Sequence, residues 1–129
     1  VAFSSVLFKP FLPDACQVNP QVYGAELAYW LARQLALKGV ATSYPNCEDW
    51  GWFLEYITNA GDEYWLCCSN VCGEDGRWLC YLNPKAKKWF GLGKAKVENA
   101  QPLLVALKAV LVESAEISDI VWSQEQYTK

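Results

Sequence analysis

"WGWFLEYITNAGDEYWLCCSNV", residues 50 to 71, holds two runs in which bulky residues alternate, on either side of Asn59-Ala60-Gly61-Asp62. A period of two is that of a β-strand. The separator is turn chemistry: Gly reaches left-handed backbone angles without steric cost, and Asn and Asp bond locally to their own backbone. The stretch therefore predicts two strands, 50 to 58 and 63 to 71, joined as an antiparallel hairpin.

The pattern extends both ways. Downstream, Gly73-Glu74-Asp75-Gly76 leads into "RWLCYL" (77 to 82); upstream, "VATSY" (40 to 44) precedes Pro45-Asn46. Four strands in succession make a meander. Before Gly39 the period is about 3.6, and a helix is predicted over 20 to 38. Asn19 is placed to cap it, Pro20 suits the first helical position, Val18 and Tyr23 suit a hydrophobic staple, and Lys38-Gly39 reads as its stop. Tyr23, Leu27, Trp30, Leu31, Gln34 and Leu35 form its buried stripe. A second helix is predicted over 99 to 114, with Pro102 in its first turn and Leu103, Leu107, Val110 and Leu111 on one face. "AFSSVLF" (2 to 8) and "ISDIVW" (117 to 122) read as outlying strands. The order β-α-β-β-β-β-α-β predicts one α+β domain of 129 residues, with two helices on one face of a mainly antiparallel sheet.

This pattern leaves an apolar surplus. Apolar residues make up 53% of the chain, above the ~45–50% usual for soluble domains. Alternation through the first run puts Trp50, Trp52, Leu54 and Tyr56 on one side and Phe53, Glu55 and Ile57 on the other, and Trp65 joins a similarly apolar neighbour. A sheet with helices on one side usually has a polar opposite face. Three covers remain open for this one: a loop such as 83 to 97, a second copy of the chain in a homodimer, or a ligand.

Charge is uneven. Between Gly39 and Gly76 lie seven acidic residues and no Lys or Arg; from Arg77 to Lys96 there are six basic residues and no acid. The simple account is solvated ends that neutralise one another; the functional one is an acidic, aromatic surface for a cation or a basic protein segment. "KAKKWFGLGKAK" (85 to 96) interleaves Lys with Trp89 and Phe90, yet a net charge of −3 opposes a polyanion, so nucleic acid is not expected. "GLGK" lacks the spacing of a phosphate loop.

The chain contains no His, which excludes imidazole-based triads and His-ligated metals. Six cysteines lack paired C-x2-C knuckles, so reduced thiols without metal are expected, and no cofactor motif is present. No run is long enough to cross a bilayer and the N-terminal segment lacks signal-peptide features, so a soluble, cytoplasmic protein is expected.

The capped helix "GAELAYWLARQLALKGV", followed by "EDWGWFLEY" and "YWLCCSN", resembles a group of small bacterial proteins with the same helix, E-D-W-G-W and Trp-rich meander order. The resemblance covers about residues 20 to 122, and the chain also resembles products of mobile gene cassettes. It implies an accessory role and brings no established activity, cofactor or catalytic residue. The reading that results is a non-enzymatic binding protein using Glu48, Asp49, Trp50, Trp52, Tyr56 and Trp65 to hold a protein partner or a small, cationic ligand. The alternative is a small enzyme with Cys16 or Asp49 as its reactive group. "EDWGW" itself reads first as a turn entering a strand, with Asp49 bonding turn amides and at least one indole buried.

Overall fold

A computed structural model describes residues 1–85 and 95–123. Its strands are β1 (Ala2–Ser4), β2 (Asn46–Glu48), β3 (Gly51–Ile57), β4 (Glu63–Asn70), β5 (Arg77–Pro84) and β6 (Ser118–Val121). Its helices are α1 (Ala25–Leu37) and α2 (Gln101–Glu113), with short 3-10 turns at Asp14–Cys16 and Val97–Ala100. All six strands form one antiparallel sheet in the order β2-β3-β4-β5-β1-β6. The fold is α+β, and the chain order of its main elements is the predicted one.

Both helices lie on one face. Leu27, Ala28, Leu31 and Leu35 of α1 and Leu103, Leu107, Val110 and Leu111 of α2 are buried against Phe3, Leu54, Leu66, Cys68, Trp78 and Cys80 of the sheet. Each fully buried Leu contributes about 1.5–3 kcal/mol of transfer free energy, the largest class of stabilising term here. Helix α1 stops as its sequence indicates. Gly39, at φ +83, lets its amide reach the carbonyl of Ala36 and the Val40 amide reach that of Leu35, the paired bonds of a Schellman end.

Its start is different. The Asn19–Pro20 cap and the Val18–Tyr23 staple do not form, and α1 begins five residues later, after Gly24. Asn19 instead donates its side-chain amide to the carbonyl of Asp49 at 2.6 Å, and Asn70 accepts from the amide of Tyr23 while donating to the carbonyl of Gln21. These tertiary bonds tie residues 19 to 23 to the meander and displace the local capping pattern.

Two strands are also shorter or shifted. The first ends at Ser4, because the Ser5 hydroxyl accepts from the amide of Leu7 and turns the chain, sending Phe8 into the core against Trp30 and Trp78. Residues 40 to 44 run beside β3 without joining the ladder. The Ser43 amide donates to the Glu55 carbonyl, but the Glu55 amide answers to the Ser43 hydroxyl instead of a backbone carbonyl. The ladder resumes at Asn46.

Candidate functional site

The far face of the sheet, opposite the helices, is set by register. Ile57 pairs with Glu63, Glu55 with Trp65 and Phe53 with Cys67 across β3 and β4, and Trp65 pairs in turn with Asn83 and Cys67 with Tyr81 across β4 and β5. Beyond them, on the edge strand, Glu48 pairs with Gly51, leaving Asp49 and Trp50 as a two-residue hairpin turn. Gly51 sits at φ +153, and a Cβ there would lie 2.9 Å from the Cys68 carbonyl oxygen, so glycine is needed for this entry. Because Trp50 belongs to the turn, it does not continue the alternation of Trp52. Its ring folds over the far face, 6.2 Å from Phe53 and 6.1 Å from Tyr81.

Phe53 and Trp65 stack at a centroid distance of 3.8 Å and 13°. The Lys85 ammonium lies 3.4 Å from the centroid of the same indole. Phe53 and this ammonium are too close to Trp65 to share one side of it, so they sandwich the ring. The Lys85 amide donates to the Glu63 carbonyl at 2.9 Å, extending the β4–β5 ladder past Pro84 and fixing the lysine stem beside Trp65. Glu48, Glu55 and Glu63 share this face by register, and no ion pair engages them among the described residues.

Beneath the aromatic rings, Cys67 is buried and its thiol is pushed up to about 12, chiefly by burial, which outweighs the opposing effects of a hydrogen bond with Tyr81 and of the Lys85 charge. Burial, then the neighbouring Cys67, raises the Tyr81 hydroxyl as well. Both groups keep their protons at neutral pH, so Cys67 is not a poised nucleophile.

The structure divides the six residues singled out in the sequence. Trp50 and Trp65 share the far face, and Glu48 and Asp49 are exposed at the hairpin end. Trp52 and Tyr56 point to the helix side and pack on the core. Neither Trp50 nor Trp52 is fully buried. Asp49 contributes its backbone carbonyl, to Asn19, instead of holding turn amides with its carboxylate. Sequence reasoning did not include Phe53, Tyr81, Lys85, Glu55 and Glu63 in the site. The pairing of acidic and basic segments was the available signal for Lys85; Tyr81 required the β4–β5 register.

The groups proposed for the enzyme alternative stand apart. Cys16 is exposed in a 3-10 turn, nine residues before α1, and receives no help from that helix N-terminus. Among the described residues no group of three or more Cys, Asp or Glu side chains is gathered to hold a metal ion. No described helix is long and apolar enough to cross a membrane. Lys87, Lys88, Trp89, Phe90 and Lys94, which carried the comparison with nucleic-acid binding and much of the covering loop, lie outside the described residues.

A second concavity, absent from the sequence reading, opens on the outer side of α1. It measures about 1130 Å³ and is lined by Leu7, Phe8, Phe11, Tyr29, Trp30 and Tyr44, with Arg33 at its wall. Phe11 is 87% and Tyr44 84% exposed, so these rings are available at its mouth.

No protein family matches this chain, and no curated protein or solved structure shows significant similarity to it.

Proposed function

We propose that this chain is a binding protein whose far sheet face receives a lysine-bearing segment of a partner protein. The observation that carries the reading is the Lys85 ammonium seated 3.4 Å from the Trp65 ring centre. It marks where a cation is accepted on this face, on an indole backed by Phe53. Glu48, Glu55 and Glu63, free of ion pairs among the described residues, supply complementary charge around it. An incoming lysine takes the place of Lys85, which acts as an internal occupant.

A cation over an indole contributes about 0.5–2 kcal/mol, depending on how far it is desolvated. Calorimetric titration with a lysine-rich peptide, and with the same peptide carrying norleucine for lysine, tests the reading. Trp65→Ala is expected to weaken the lysine peptide roughly 2- to 30-fold. Lys85→Ala is expected to tighten it by vacating the ring. Binding that ignores both substitutions, or that is lost only in Tyr44→Ala at the cleft, overturns the assignment. A stable dimer with Trp65 shielded from a quencher points instead to a second copy of the chain on this face.

A further inference from the structure

Cys68 and Cys80 are directly opposite one another on β4 and β5. They are 0% and 1% exposed, on the helix side of the sheet. Two independent hydrogen-bond patterns fix what kind of pair they are. The Val71 amide donates to the Arg77 carbonyl and the Lys85 amide to the Glu63 carbonyl, both at 2.9 Å, so the bonded positions of this ladder are the odd-numbered ones. In addition, the Cys80 amide and carbonyl both turn away from β4, the amide donating to the Val1 carbonyl and the carbonyl accepting from the Val1 nitrogen, each at 2.8 Å. Cys68 and Cys80 are thus a non-hydrogen-bonded pair, the kind whose Cα atoms approach to about 4.5 Å, inside the range a disulfide spans. The Cys68 thiol donates to the Leu66 carbonyl at 3.8 Å, and the Cys80 thiol is near enough to push the Cys68 thiol up together with burial. Cys67, the sequence neighbour, points to the opposite face beside Tyr81 and does not compete for Cys80.

We propose that Cys68 and Cys80 are a site for a buried cross-strand disulfide, made during folding by exchange with a small-molecule disulfide. One cysteine thiolate attacks a sulfur of the small disulfide, forming a mixed disulfide and releasing one small thiol. The second cysteine thiolate then attacks the protein sulfur of that mixed disulfide and releases the other small thiol. The two cysteine protons end on the two released thiols, and the two electrons pass to the small disulfide. The exchange precedes closure of α1 and α2, because the finished fold shields both sulfurs from solvent. The bridge then clasps the centre of the sheet and closes the loop that contains Gly73 and Gly76.

The full chain, reduced and unfolded in urea, is diluted into a glutathione redox buffer, and the remaining thiols are trapped by alkylation. Trypsin cuts after Arg77, so a bridge appears as two linked peptides, and fragmentation assigns the partner of Cys80. The expected result is a Cys68–Cys80 link that persists in Cys67→Ala, with a urea midpoint raised by about 1 M over the reduced protein. Cys68 and Cys80 recovered as alkylated thiols on later unfolding, or Cys80 linked to Cys67 or Cys72, overturns the proposal. The mapping is done on the unaltered chain and needs no substitution at the paired positions.

Discussion

Two glycines meet one carbonyl. A Cβ on Gly24 would lie 2.7 Å from the Cys68 oxygen and one on Gly51 would lie 2.9 Å from it, and both residues are at positive φ, +150 and +153. Gly39 is also at positive φ but has nothing within 4 Å of its Cβ position. Alanine at Gly24 or Gly51 is therefore expected to cost about 2–4 kcal/mol, and at Gly39 about 1 kcal/mol, by urea unfolding. Equal losses at all three would remove the close approach from the account. Trp52, half-buried on the core, is expected to cost about 2–4 kcal/mol as Trp52→Ala, while Glu48→Gln at the exposed edge costs about 0.5 kcal/mol or less. The thiols separate by burial: in the reduced native protein an alkylating reagent is expected to modify Cys16, Cys47 and Cys72 quickly, and Cys67, Cys68 and Cys80 only after unfolding. Cys67 also makes stability depend on pH. Above its ordinary value of 9.0 the unfolded chain releases this proton while the native state keeps it up to about 12. The native state then binds more protons, so stability falls as pH rises through that window, and Cys67→Ala is expected to flatten part of the fall.

Among the elements, those whose signals were local could be read from sequence. The Gly39 stop of α1, Pro102 in the first turn of α2 and the buried leucines of both helices depend on neighbours within one or two turns. The elements that moved depend on distant partners. Asn19 had the chemistry of a cap, but Asp49 lies thirty residues away and claims its amide. Ser43 had a place in an alternating run, but its hydroxyl substitutes for a backbone acceptor opposite Glu55. Counting in twos puts Trp50 on the same face as Trp52, and the two-residue turn breaks that count. One contact between helices carries little energy: Lys38 pairs with Glu113, whose side chains are 36% and 60% exposed. Lys38→Ala is expected to cost about 0.5 kcal/mol or less, with the difference vanishing at high salt; a larger, salt-independent loss would give this pair a structural role.

For the whole molecule, the change of period at Gly39 and the repeated turn chemistry were enough to identify an antiparallel sheet under two helices. The sequence also flagged an apolar second face. What it could not supply was the register that brings Phe53, Trp65, Tyr81 and Lys85 together, since these side chains come from three strands and the residue that follows the last of them. It likewise gave no sign of the cleft, which joins α1 to segments on either side of it in the chain. The central claim, that the far face accepts a lysine from a partner, is tested most directly by NMR of the indole N–H groups during titration with a lysine-rich peptide. The predicted result is movement of the Trp50 and Trp65 resonances, with those of Trp52 and Trp78 on the helix side and Trp30 in the cleft unchanged. Movement of Trp30 while Trp50 and Trp65 stay fixed, or no movement at all, would contradict it.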